Sequence, residues 1–329
     1  MAHKKRRLLY TLSILLLLIG SGCFYYKYAN HTFDKTQKPC PNCRYTLSIC
    51  SVFKDEAPYF KEWIEYYKLL GVQHFRLYNN ESTDNYLEVL KPYIDAGDVT
   101  VIDWPSDPSR LGRDEWPWYT QLPACTDAIT HLKGVSEWLA IIDLDEFIVP
   151  LEHTNLLSFL KEYEPYAGVL INWQNFGTSL LWEIPQDKLM MEVLTLRALK
   201  NSKYNHPVKS IVRPDRVDVN TRAWCPHTWA YLSKKDKQIF PNKTLYKFGY
   251  VEVSKARINH YVHKSEEYFY NSKVLKKERM EGCKLDQEYL NDWKSSCNQE
   301  EDLSILRFVP ALKERVFSKE LSNSEIQSP

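Results

Sequence analysis

The sequence predicts an α/β fold: a mostly parallel sheet with helices on both faces, preceded by one N-terminal transmembrane helix. Three observations carry that expectation. Short apolar runs alternate with amphipathic segments from Tyr45 onward. An uncharged stretch, Leu8 to Tyr26, directly follows the basic cluster Lys4-Lys5-Arg6-Arg7. One apolar run, Trp138 to Ile142, leads straight into three carboxylates, Asp143, Asp145 and Glu146.

The N-terminus comes first. Residues 1–7 read as a cytoplasmic tail and residues 8–26 as a transmembrane signal anchor. The run is close to the roughly 20 residues that cross a bilayer as a helix, and it is apolar on every side. Two other readings stay open. Gly20-Ser21-Gly22 imitates a signal-peptide cleavage site, and Cys23 could be a lipoprotein cysteine, although Gly20 stands where that signal expects a leucine-like residue. The basic cluster favours an uncleaved anchor with the rest of the chain beyond the membrane. Residues 27–44 are polar and proline-containing, as in a stem. Cys40-Pro-Asn-Cys43 has zinc or redox spacing, but no second CxxC follows, so the expectation is a stem disulfide or free thiols. Cys283 and Cys297 could pair in an oxidising lumen.

After the stem, strand and helix alternate. Tyr45–Phe53 reads as a buried strand, and 55–70 as a helix with Phe60, Trp63, Ile64, Tyr67 and Leu70 at helical spacing, closed by Gly71. Strands follow at 72–78 and 98–104, helices at 84–94 and 119–132, and a fourth strand at 138–142. Such spacing implies right-handed crossovers. The domain runs over 45–265; residues 266–329, rich in lysine and glutamate, read as a C-terminal helical extension. Net charge is +1, from 43 basic and 42 acidic residues, so no overall field favours nucleic acid.

In open α/β sheets, ligands bind outside the carboxyl ends of the strands, where Asp143 and Asp145 fall. If the strand continued, they would share one face and Glu146 would point away. Two carboxylates on one face repel unless a cation lies between them, and a hard ion, Mn2+ or Mg2+, suits that arrangement. Neither GxxxxGK[ST] nor GxGxxG occurs, which argues against P-loop hydrolases and dinucleotide enzymes.

SVFKDEAPYFKEWIEYYKLLGVQHFRLYNNESTD, WLAIIDLDEF, FGTS, VKSIVRP and INHYVHKSEEYF, in that order, resemble glycosyltransferase family 92 and its related family-2-like group. The resemblance spans roughly Tyr45 to Glu281. It implies a GT-A fold, a UDP-sugar donor, a divalent metal and an inverting galactosyltransferase. On this sequence it makes Asp145 the ion's ligand and Asp143 a ligand of the ribose or of the metal and its water. Val52, Phe53, Asn79 and Asp84 would line a uridine pocket. Glu56 holds its family position, but Asp55 stands where asparagine is usual.

The residues themselves add the other half. His260 in RINHYVH is placed as a third metal ligand, with His227 as competitor, and Lys264 as the group that neutralises the diphosphate. Lys209 and Arg213 share a strand face and would supply a second phosphate contact. Glu183 and Asp187, after FGTS, are the candidates for the base that deprotonates the acceptor hydroxyl. Trp116, Trp118, Tyr119, Trp173 and Phe176 are the aromatics that could stack on sugars. The function expected is transfer of a sugar, galactose first, from a UDP-sugar to a glycan. The alternatives are a nucleotidyltransferase acting on sugar phosphates and a non-catalytic membrane-anchored glycan-binding protein. Sequons at Asn30, Asn242 and Asn80 suit a type II enzyme of the Golgi lumen; a bacterial inner-membrane protein is the alternative.

Overall fold

The computed structural model describes residue 40 and residues 42–324, except 108, 110–114, 222, 224–225, 276–277, 279–283 and 285. The predicted tail and anchor, most of the stem and Asn30 lie outside these. Among the described residues no helix is long and apolar enough to cross a membrane.

β1 (Tyr45–Phe53), β2 (His74–Asn79), β3 (Val99–Asp103) and β4 (Ser136–Ile141) are joined by α1 (Ala57–Leu69), α2 (Tyr86–Asp95) and α3 (Leu122–Leu132). A π turn at Pro117–Gln121 leads into α3. These elements lie close to the expected bounds and pair in parallel in the order β3-β2-β1-β4. Beyond β4 the nine-stranded sheet turns mixed, with antiparallel pairings among the parallel ones. Only Ile142–Asp145 separate β4 from β5 (Glu146–Pro150), far short of the dozen or more residues a parallel crossover needs. β5 therefore leaves β4 and forms the far edge of the sheet. β6 (Gly168–Asn175) leads to β7 (Leu196–Arg197), and β8 (Val208–Val212) inserts antiparallel between β4 and β6. β9 (Gln238–Ile239) adds to β6, while β10 (Ala256–His260) pairs parallel to β6 and antiparallel to β5. β11 (Glu300–Glu301) pairs with β7 in a separate ribbon.

Strand alternation splits the core into two layers. Leu47, Ile49 and Phe53 of β1, with Trp138 and Ala140 of β4, pack under Phe60, Trp63, Ile64 and Tyr67 of α1. Cys50, Val52, Leu139 and Ile141 face α3 instead. Helices thus cover both faces, as expected. Gly71 closes α1 at φ +94°, where a side chain is strained, and a Cβ there would lie 2.7 Å from Leu157.

The C-terminal segments pack onto this body through α4 (Gln287–Ser296) and α5 (Val309–Ser324). Leu312 and Val316 of α5 enter the core beside α1, and Lys313 pairs with Glu192 at 2.7 Å. Cys40 and Cys43 form a disulfide. Cys297 is a buried free thiol, and Cys283 lies outside the described residues. Asn80 is unsuited to carry a glycan: it is buried, its amide donates to the Trp104 carbonyl and to Ser106, and its oxygen accepts from the Trp116 indole.

Candidate active site

Parallel pairing brings the carboxyl ends of β1, β2, β3 and β4 to one edge, and the first expected residues meet there. Asp143-Leu144-Asp145 forms a tight turn between β4 and β5, not a continued strand, so strand alternation does not set its side chains. Leu144 buries itself in the core. The carbonyl of Glu146, which opens β5, accepts from the Trp63 indole and the Tyr67 hydroxyl at 3.1 and 2.9 Å, fixing the turn to α1.

Asp143 is held on three sides. Its Oδ2 lies 2.6 Å from Lys209 Nζ, its Oδ1 accepts from Gln121, and its backbone N–H donates to Glu146 Oε2. Glu146 therefore folds back under the turn, contrary to the expectation that it points away. It is 0% exposed, and Lys209, 2% exposed, is 3.5 Å from it. Burial pushes the Glu146 carboxyl well up; Lys209 pulls it down, and Asp143 and Asp145 push it further up. Burial opposes the charge on Lys209, but Asp143 and Glu146 outweigh it and hold the amine protonated.

Asp145 meets a different partner. Antiparallel pairing sets His260 of β10 across from Glu146, and His260 Nε2 lies 3.6 Å from Asp145 Oδ1. The imidazole packs against Trp173 of β6 with its ring tilted by 39° and centroids 4.2 Å apart, and His227 packs near the same indole at 5.6 Å. Burial, Lys209 and His260 push His227 well below the usual histidine range, so it stays neutral. His263 packs against Phe269 and Trp293 in the core.

Lys264 follows in a left-handed conformation, φ +48°, 0% exposed. Its Nζ lies 2.6 Å from Glu56 Oε2 and 3.4 and 4.3 Å from the ring centres of Tyr59 and Tyr268. Burial opposes its charge, and Glu56, both tyrosines and Asp145 more than restore it. A lysine held at positive φ stores roughly 1–2 kcal/mol of strain, which persists only where contacts hold it.

The residues expected to line a uridine pocket come together at the ends of β1 and β2. Phe53 pairs with Asn79, and Asn79 bonds Asp103, Tyr86 and the Ser82 N–H. Asp84 accepts from the Ala57 N–H at the start of α1. Asp55, also at positive φ, accepts from Thr83, so the departure from asparagine gives a cross-link between the two loops. The Phe53 ring itself is buried against Phe60 and Tyr86, leaving Val52 and the Phe53 backbone to border the corner.

Arg213 is a correction. β8 runs antiparallel to β4, so four residues of strand, roughly 13 Å, carry Arg213 away from Asp143. It pairs with Glu137 at 3.0 Å, stacks over Trp138 and donates to the carbonyls of Glu164 and Tyr166. Lys209 is present but spends its charge on Asp143. Glu183 and Asp187 are exposed on the loop after β6, whose path is set where Leu181 and Trp182 accept from the N–H groups of Glu266 and Glu267. Gly177 of FGTS lies against Asn298; a Cβ would meet its side chain at 2.3 Å. Of the aromatics expected to stack on sugars, Phe176 is buried and Trp173 supports His260.

Asp145 and His260 are the residues that could hold a metal. An oxygen and an imidazole nitrogen suit Mn2+, and adjacent ligands of an octahedral ion with bonds of about 2.1 Å sit roughly 3 Å apart, near the observed 3.6 Å. Asp143 fits less well, because Lys209 and Gln121 take both its oxygens. Among the described residues the one trio of donor atoms within 4.8 Å of one another is Cys40, Cys43 and Asp215, whose sulfurs are bonded together. The sequence reading missed Gln121 and the inward role of Glu146. A clue to Lys209 was available: a lysine inside VKSIV, an otherwise uncharged strand, must find a buried partner.

The chain is similar to several known proteins. A glycosyltransferase family 92 protein of Oryza sativa subsp. japonica is 29% identical over 178 residues, 53% of this chain and 28% of that protein. The beta-1,4-galactosyltransferase galt-1 of Caenorhabditis elegans is 31% identical over 114 residues, 32% of this chain and 26% of that protein. The crystal structure of S. aureus TarS 1-349 covers 83% of this chain and 72% of its own at 14% identity, with a TM-score of 0.36, too low to carry an argument. This chain spans about a third of the length of the curated relatives it matches. The pattern of Glycosyltransferase family 92 matches residues 44–302, most of the sequence. The chain belongs to glycosyltransferase family 92.

Proposed function

We propose that this protein transfers galactose from UDP-galactose to a glycan hydroxyl, with inversion and with Mn2+ or Mg2+, on a GT-A framework. One observation carries the reading: Asp145 and His260 face each other at the carboxyl edge of the sheet while Lys209 immobilises the neighbouring Asp143. Asp145 and His260 would then supply a carboxylate and an imidazole to an ion. When bound, the ion would neutralise the departing diphosphate and orient it.

The chain's own residues do the rest. Asn79, Asp84 and the backbone at Val52 and Phe53 border the uridine corner. Glu56 sets the position of Lys264, whose charge is held beside Asp145 and adds to the positive field that a leaving diphosphate needs. A carboxylate on the acceptor side takes the hydroxyl proton, and Glu183 and Asp187 on the loop after β6 are its candidates. The segment 8–26 anchors the protein as a single-pass type II chain, with residues 45–265 as catalytic domain in the Golgi lumen and residues 266–329 as its helical extension.

A donor screen tests the reading. UDP-galactose, UDP-glucose and UDP-N-acetylglucosamine are incubated with the protein and Mn2+, and UDP release is followed. The expected result is metal-dependent UDP release, fastest with UDP-galactose. Formation of a nucleotide sugar from a sugar phosphate and a nucleoside triphosphate would identify a nucleotidyltransferase. Neither reaction would leave glycan binding alone.

A further inference from the structure

Beyond Lys264 lies a surface pocket of about 460 Å³ that none of the donor-side residues lines. Three distant stretches build it: the start of α1, the loop after β6 and residues 265–272. Tyr59 and Tyr268, whose rings enclose the Lys264 ammonium, also line the pocket. The buried Lys264 ammonium, which also feels the Asp145 charge, therefore lies against the pocket's tyrosine wall.

Its lining does not suit an anion. Glu62 and Glu267 bring two carboxyl groups against the single lysine, Lys188, so a diphosphate would find no excess of positive charge there. The lining does suit hydroxyl groups. Glu62 is immobilised, its two oxygens accepting from the N–H groups of Met190 and Met191 at 2.8 and 3.0 Å, and each carboxylate oxygen keeps a second lone pair. Gln186 and Asn271 add amides. Flat tyrosine rings, 82° apart, supply apolar walls with polar edges. The volume falls in the usual range for a small-molecule site.

The rim has a defined shape. Ser179 and Leu180 are both left-handed, at φ 49° and 62°, and Asn298 and Thr178 hold them by accepting from their N–H groups. The result is a loop that exposes Leu180 at 70% and Trp182 at 62%. Glu267, which lines the pocket, donates its N–H to the Trp182 carbonyl at 3.0 Å, which ties this loop to the pocket wall.

We infer that this pocket is the acceptor subsite, which takes a neutral saccharide with hydroxyls on Glu62, Gln186 and Asn271 and a ring face toward Tyr268. The inference rests on the glycosyl-transfer reading, but its test does not depend on the donor. Saturation-transfer NMR on the full chain in detergent uses three probes: methyl β-D-galactopyranoside, methyl β-D-glucopyranoside and methyl β-N-acetylglucosaminide. At least one should give a transfer signal with the wild type. Asn271→Trp, at an exposed position, fills the pocket and should weaken that binding at least tenfold, and Gln186→Ala should weaken it about threefold. Calorimetry of UDP with Mn2+ should be unchanged in both variants. Equal saccharide signals in wild type and Asn271→Trp, or none from any probe in the wild type, would overturn the subsite. UDP binding absent throughout, with the saccharide signal abolished by filling the pocket, would instead fault the donor reading and leave the subsite standing.

Discussion

Lys264→Met removes a charge that has no route to solvent. The ammonium is 0% exposed, 2.6 Å from Glu56 Oε2 and in contact with two tyrosine faces. Breaking a buried pair by deleting one partner costs about 3–5 kcal/mol, because the remaining charge is stranded. Glu56 keeps 18% of its side-chain exposure, so water recovers part of that cost. A desolvated cation–π contact is worth about 2 kcal/mol, of which methionine regains roughly 1 through sulfur–ring contacts. The left-handed backbone is unchanged. The sum is a loss near 3 kcal/mol. Glu56→Gln should cost a similar amount, because it leaves the cation with ring faces alone. The double variant should cost about 2 kcal/mol less than the two singles added together, since each single already loses the same interaction. Urea unfolding followed by tryptophan fluorescence at pH 7 measures all three. Single-variant losses that add to within about 0.5 kcal/mol would refute the pairing as the reason Lys264 holds its strained conformation.

Two further outcomes follow from buried charges elsewhere. Asp302 joins Arg257 at 2.6 Å and Arg197 at 2.8 Å; burial opposes its ionisation, but Arg257 and Ser304 hold it well below the usual carboxylate range. Its stabilisation is present above the ordinary carboxyl pKa and is lost as pH falls toward its lowered value. Asp302→Asn should therefore cost about 3 kcal/mol at pH 7, and urea titrations should show the deficit shrinking below about pH 4. Glu62 is the opposite case: burial raises its pKa from 4.5 to about 7, so the fold holds its proton more tightly than the unfolded chain does. Stability should fall as pH rises through that window, by roughly 3 kcal/mol at about 1.4 kcal/mol per pH unit. Glu62→Gln should flatten that fall, and an unchanged slope in urea midpoints from pH 5 to 8 would contradict it.

The first half of the fold was legible because its cues are local. Apolar runs mark β1 to β4, helical spacing marks α1, and Gly71 ends it where a left-handed residue is required. The second half was not, because β8 and β10 are placed by pairing rather than by pattern. VKSIVRP looks the same whether it lies parallel or antiparallel to its neighbour, and the choice decides that Lys209 reaches Asp143 while Arg213 ends beside Glu137. His260 was legible as a polar residue on an apolar strand, but its partner was fixed only by the β5–β10 register. The Glu56–Lys264 pair spans 208 residues, and no spacing rule joins such positions. Glu62 escaped notice because it lies on the exposed-looking side of an amphipathic pattern, and a loop from beyond β6 covers it.

The central claim is that Asp145 and His260, and not Asp143, hold the ion that binds the donor. Titration calorimetry of UDP with and without Mn2+ tests it most directly, on the wild type and on Asp145→Asn, His260→Ala and Asp143→Asn. Wild-type affinity should rise with Mn2+. Asp145→Asn should remove that enhancement and His260→Ala should reduce it at least tenfold, a hydrogen bond or ligand contact to a charged group being worth about 1.5–3 kcal/mol. Asp143→Asn should weaken UDP binding yet keep its dependence on Mn2+. The opposite pattern, with Mn2+ dependence lost in Asp143→Asn and intact in Asp145→Asn, would contradict the account.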